Sequence, residues 1–235
     1  MFKEKKVAEL LTEEEQVELI KEWWKKNGTS VIVAIFVAVA AIYGYQYWQK
    51  SKIEKSAAAM QEYYEQTEKL NSNDKKTKEA GMQLAEKYIE KNDGHKVLST
   101  FTALQIAKEH VVANEYKKAE EFLQKALSIN DDKSLEPIIK HRLAQVNFAT
   151  GNNDKALSYL KNPPESFLSL YAELEGDIYF DKGEKENAVA SYKKAYSSNK
   201  EQNDKSKELI KIKLKNLGVD PEKTEKVSVK GKKNA

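Results

Sequence analysis

Residues 29–48 (TSVIVAIFVAVAAIYGYQYW) carry no charged side chain, and the chain beyond them is strongly polar yet spaced for helices. An unbroken apolar run followed by helical periodicity predicts one membrane-crossing helix and then an all-helical domain. At about 1.5 Å per residue the run forms a helix roughly 30 Å long, the thickness of a bilayer's hydrocarbon layer. A soluble core helix would need a polar stripe. Here Thr29, Ser30 and Gln46 lie near the ends, and only tyrosine hydroxyls add to them. A cleaved secretory signal would close on a small-x-small triplet, whereas Ala38-Val39-Ala40 sits inside the run and leads into bulky aromatics. Trp23 and Trp24 before the span, and Tyr47 and Trp48 at its exit, supply amphipathic rings for both membrane interfaces.

Charge does not orient the span, because Lys21, Lys25 and Lys26 precede it and Lys50, Lys52 and Lys55 follow it. An uncleaved N-terminal anchor with a short head and a long tail commonly keeps its head in the cytoplasm. Within the span Ala34, Ala38 and Ala41 form a small-residue face, with Ala40 and Gly44 beside it in small-xxx-small spacing. Such spacing lets another transmembrane helix approach; random lipid exposure is the plainer alternative. Ahead of the span, Thr12-Glu13-Glu14-Glu15 has capping-box spacing and predicts a helix start near Thr12. Val17, Ile20 and Trp24 then recur at helical spacing until Asn27-Gly28 offers a break. Residues 1–28 thus read as a short amphipathic head, either a collar against lipid headgroups or a docking or degradation handle.

Beyond the span the pattern repeats itself between residues 100 and 199. The clearest unit carries Gly176, Tyr179, Gly183, Ala188, Tyr192 and Ala195, in the register of a tetratricopeptide repeat of about 34 residues. Small residues let two antiparallel helices approach, aromatics fill the gap, and the second glycine turns the chain. A preceding unit has Leu143-Ala144, Gly151, Ala156 and Leu160, and the one before has Ile106-Ala107, Asn114, Ala119, Leu123 and Ala126. The turn residues Asn114, Gly151 and Gly183 are unequally spaced, and Pro163-Pro164 cuts the middle unit's second helix short. Residues 53–70 predict a helix continuing from the membrane, with Ala57, Met60, Tyr64 and Thr67 in phase. Residues 75–91 predict its partner, with Ala80, Leu84, Ala85, Tyr88 and Ile89 inward. Residues 205–217, with Leu209, Ile210, Ile212, Leu214 and Leu217, should cap the last repeat and end at Gly218 in a left-handed turn. The architecture is an all-α chain: residues 1–28 the head, 29–48 a single N-terminal transmembrane helix, 49–218 a tetratricopeptide-repeat-like α-solenoid. Residues 219–235 are a Lys-rich tail with too little apolar content to fold.

Composition narrows the function. The formal charge of +3 arises from 40 basic and 37 acidic residues thoroughly mixed. Arg142 is the sole arginine, which argues against nucleic acid as a partner, since phosphate and guanine recognition relies on arginine forks. Cysteine is absent, which excludes disulfides, thiol catalysis and acylation at a cysteine. His95, His110 and His141 lack a second histidine at metal-ligand helical spacing, so no metal or other cofactor is expected. His110 falls at a repeat position usually aromatic and reads as a packed histidine. Asp177 and Asp181, one helical turn apart, read as solvated surface. With no phosphate loop or nucleophile elbow, neither an enzyme nor a small-molecule binder is expected.

Three stretches together resemble the bacterial YfgM family of ancillary SecYEG translocon subunits. These are the head from Leu11 to Gly28 (LTEEEQVELIKEWWKKNG), the span's Tyr47-Trp48 exit, and the final repeat from Ala172 through Ala188 with its closing helix to Leu217. The resemblance implies a single-pass type II inner-membrane protein, with its N-terminus in the cytoplasm and its repeats in the periplasm. It also implies association with SecYEG and with the membrane-anchored periplasmic chaperone PpiD, in a non-enzymatic scaffold that helps hand secreted chains to chaperones. The family pattern carries no catalytic residues. Stacked repeats make a concave surface suited to peptides or partner helices, and Phe101, Gln105, Gln145, Phe148 and Tyr171 on the first helices of the repeats are candidates to line it. Two other readings stay open: a holdase that binds unfolded chains directly, and a repeat scaffold for a different envelope assembly.

Overall fold

The computed structural model describes residues 13–91, 93–199 and 205–221, and among these all regular structure is helical. The chain divides into two compact units that meet at Ala58 and Ala59.

The first unit is the N-terminal part of helix α1 (Glu13–Leu70), which contains a stretch long and apolar enough to cross a membrane. Glu13, Glu14 and Glu15 occupy its first turn, where carboxylates complement the partial positive charge of a helix N-terminus. Thr12 lies outside the described residues. The break expected at Asn27-Gly28 is absent, and α1 runs through it. Asn27 donates its side-chain amide to the Trp23 carbonyl at 3.1 Å, and Gly28 lies against the Trp24 ring, 3.2 Å from where a Cβ would stand. A single glycine costs a helix interior only about 1 kcal/mol, while opening the backbone beside lipid would leave several polar groups unpaired. Trp23, Trp24, Tyr47 and Trp48 are all exposed, and the Lys52 ammonium stands 4.0 Å over the Trp48 ring.

The second unit comprises the end of α1, α2 (Lys75–Lys91), α3 (Lys96–Val112), α4 (Tyr116–Ile129), α5 (Glu136–Ala149), α6 (Asn153–Tyr159), α7 (Leu168–Asp181), α8 (Lys185–Ser198) and α9 (Lys205–Asn216). Helices adjacent in sequence pack on one another, as in a solenoid. The units are α3–α4, α5–α6 and α7–α8. Asn114, Gly151 and Gly183 sit at φ values of 59°, 75° and 76°, as the repeat pattern predicts. Each unit closes its first helix with the same bond, from the Glu115, Asn152 and Glu184 amides to the His110, Asn147 and Tyr179 carbonyls at 2.8–2.9 Å. The second helix of the middle unit stops at Tyr159, before Pro163-Pro164.

The inward face of α1 differs from the expected stripe. Ala59, Gln66 and Leu70 are buried, whereas Ala57, Met60 and Tyr64 are exposed. Two contacts set that rotation. Gly81 of α2 comes so close that a Cβ there would lie 2.8 Å from the Leu70 nitrogen, and Gln66 donates to the Thr102 hydroxyl of α3 at 2.7 Å. The inward set on α2 is accordingly Gly81, Ala85, Tyr88 and Ile89, and Ala80 faces out.

At the other end α9 docks through Ile210 and Leu214, while Leu209 and Ile212, expected to share in the cap, are exposed. Asp177 also departs from the solvated-surface expectation. It accepts the Tyr192 hydroxyl at 2.7 Å, and Lys213 of α9 donates to both of its oxygens, at 2.7 and 2.9 Å, and to Glu173 at 2.7 Å. Burial works against the Lys213 charge, but the Asp177 and Glu173 hydrogen bonds outweigh it and raise its pKa. Asp181 remains at the surface and accepts the Asn153 side-chain amide at 3.0 Å.

Candidate functional site

The α7–α8 pair is closed by contact. A Cβ on Gly176 would stand 2.5 Å from the Tyr192 ring, so only glycine lets the aromatic lie against the α7 backbone. In the α3–α4 pair the same repeat positions carry Ala107 and Leu123, a larger residue on the first helix and a side chain without a ring on the second. Both are buried, and both line a cavity of about 440 Å³ that opens between α3 and α5. Leu104 and Val146 complete its floor, and Val111 and Val112 stand exposed at its mouth beside the Asn114 turn. Its charged lining is Lys108 on α3 and Arg142 on α5, and no carboxylate lines it.

Of the residues expected on the concave face, Gln145 lines this cavity. Phe101 is exposed on α3, and Gln105 accepts the Thr67 hydroxyl at 3.2 Å. Phe148 is half-buried against the cluster formed by Ala156, Leu160 and Ile178. Tyr171 is not a surface residue. It is 2% exposed, its hydroxyl donates to the Pro137 carbonyl at 2.7 Å, and burial pushes its pKa up to about 12. It is a strut between α7 and α5. Ala40 and Gly44 lie exposed on α1, with nothing within 4 Å of a Cβ on Gly44. Lys108, Val111 and Val112, and Arg142, noted in the sequence only as the sole arginine, were not among the expected groove residues. Val111 and Val112, an apolar pair directly ahead of a turn where polar residues are usual, were the available signal.

Two histidines are buried beside this region. His110 stacks on Phe122 with ring centroids 5.5 Å apart, and its Nδ1 lies 2.7 Å from a Glu115 oxygen. Hydrogen bonds from His110 and Lys118 hold the Glu115 carboxyl below the usual carboxylate range. His141, 5.8 Å from the Tyr171 ring, has its pKa pushed down to about 4 by burial, with a hydrogen bond to the Leu170 backbone acting the other way. Among the described residues no group of three or more His, Cys, Asp or Glu is placed to hold a metal ion.

A profile of the tetratricopeptide repeat-like domain family matches residues 21–219, which takes in the apolar helix as well as the repeats. The chain is 32% identical over 212 residues to the ancillary SecYEG translocon subunit of Haemophilus influenzae, covering 90% of this chain and 100% of that protein. This chain belongs to the ancillary SecYEG translocon subunit family. The family's protein of the same name from Aggregatibacter actinomycetemcomitans is 31% identical over 214 residues, covering 90% of this chain and all of its own length. The one from Escherichia coli is 26% identical over 208 residues, covering 88% and 97%.

Proposed function

We propose that this protein is a non-enzymatic scaffold of the inner membrane, an ancillary subunit of the SecYEG translocon. Residues 29–48 anchor it with the N-terminus in the cytoplasm, and the repeats stand in the periplasm. There they receive a membrane-anchored chaperone of the PpiD kind, which takes over secreted chains as they emerge. The observation that carries this reading is the match to relatives named ancillary SecYEG translocon subunit along their whole length. The groove between α3 and α5 supports it, since an apolar cavity with an open mouth suits a partner's side chains. Ala40 and Gly44 are the proposed contact with another transmembrane helix, through small residues that let backbones approach.

The test is photo-crosslinking in living cells from Ala40 in the anchor and from Val111 at the groove mouth, with the adducts identified by mass spectrometry. Translocon subunits are expected from Ala40, and a chaperone or secretory chains from Val111. Recovery of other envelope proteins from both positions, with no translocon subunit, would overturn the reading.

A further inference from the structure

We infer that the α3–α5 groove selects a peptide segment that combines apolar side chains with a carboxylate; this rests on reading the repeats as a docking scaffold. The floor is hydrocarbon from Leu104, Ala107, Leu123 and Val146, and the volume suits a few side chains rather than a folded surface. The charge at its edge has one sign. In a chain that mixes 40 basic and 37 acidic residues, a lining that includes Lys108 and Arg142 and no carboxylate is a local excess of positive charge.

Both cations are available. Lys108 reaches Glu109 only at 4.0 Å, and Glu109 is held more closely by Lys78 at 2.8 Å. Arg142 forms no hydrogen bond or ion pair among the described residues. A guanidinium beside an apolar floor suits a carboxylate, which it can grip with two parallel bonds. Residues 222–235 carry five lysines against Glu222 and Glu225, a net positive charge that does not complement Lys108 and Arg142. The occupant is therefore a partner segment: apolar residues at helical spacing that seat in the floor, with Asp or Glu beside them to meet Arg142.

The experiment uses the full chain in detergent micelles and three fluorescein-labelled peptides that share leucines at i and i+4 and differ only in carrying Glu, Gln or Lys between them. Anisotropy titrations should rank Glu tightest, with Gln weaker by roughly threefold to fivefold, the worth of a half-exposed charge pair, and Lys weakest. Arg142→Glu should invert the order of the Glu and Lys peptides, and Val111→Asp should weaken all three while circular dichroism stays unchanged. Equal affinity for the three peptides, no binding of any, or a ranking that survives Arg142→Glu would overturn the inference. Copurification of the wild-type chain with translocon subunits is measured alongside. Its failure sinks the scaffold reading, whereas the peptide ranking is read on purified protein and stands or falls separately.

Discussion

The α7–α8 and α3–α4 pairs are built on one repeat and end differently. In α7–α8 the Tyr192 ring presses on the backbone at Gly176, its hydroxyl meets Asp177, and Lys213 of α9 ties that carboxylate to the cap. In α3–α4 the corresponding residues, Ala107 and Leu123, border a cavity with Val111 and Val112 at its mouth. The same register thus serves once as a sealed end and once as an open groove. Binding capacity is gained where the repeat departs from its closest packing, as expected if a docking surface must keep apolar groups unsatisfied by their own chain.

The largest effect tests the sealed end. Ile210 of α9 is fully buried in the cluster it forms with Ala172, Ala188, Tyr192 and Ala195 of α7–α8, so Ile210→Ala should cost about 2–5 kcal/mol, read as a lower urea midpoint with unchanged slope for the detergent-solubilised chain. An effect below about 1 kcal/mol would mean that this end of the repeats is not sealed by packing.

A second contrast concerns the two buried histidines. His110 has a carboxylate partner, Glu115, whereas His141 lies buried beside Tyr171, where burial is the main force against its protonation and the Arg142 charge adds to it. A histidine pushed down to about 4 when folded, from about 6.5 when unfolded, binds fewer protons in the native state between those values. Its contribution is therefore fully present above pH 6.5 and is lost as pH falls toward 4, by at most about 3 kcal/mol. Urea titrations at pH 7 and pH 4.5 should show that decline, and His141→Gln should flatten it. A decline of the same size in the variant would assign it to other groups.

The contact at Gly176 supplies a smaller and sharper test. Gly176→Ala forces a methyl into the Tyr192 ring and should cost about 1–3 kcal/mol. Adding Tyr192→Leu reproduces the Ala107–Leu123 arrangement, so the double variant should be less unstable than the two single costs combined. Additive costs would show that the ring and the glycine do not meet as described.

The repeat units were legible in the sequence because their determinants are local. Asn114, Gly151 and Gly183 announce positive φ, and Pro163-Pro164 announces the end of α6. Less legible were features that depend on a distant partner. Gln66 is polar yet buried, because Thr102 accepts its amide from another helix. Gly81 reads as a weak helix residue until the end of α1 is placed against it. Tyr171 and Gln145 are both polar residues on first helices of the repeats. Only the position of Pro137, whose carbonyl takes the tyrosine hydroxyl, separates the strut from the groove residue. Asn27-Gly28 misled in the opposite direction, since a local break signal yields to the backbone's need for partners at a membrane boundary.

The smallest expected effect lies at the open pair. Ala107 occupies the position of Gly176, and Leu123 stands at the position of Tyr192, so Ala107→Gly relieves no ring clash of that kind and removes one methyl from the groove floor. The cost is then only the helix penalty of glycine and a little lost packing, about 1 kcal/mol, read as a slight fall in the thermal midpoint. One substitution direction is thus tested at each of two matched positions. Adding a methyl at 176 should cost more than removing one at 107, although glycine is the poorer helix former. Should the costs come out equal, helix propensity alone would account for both, and the distinction between a sealed and an open repeat would lose its energetic basis.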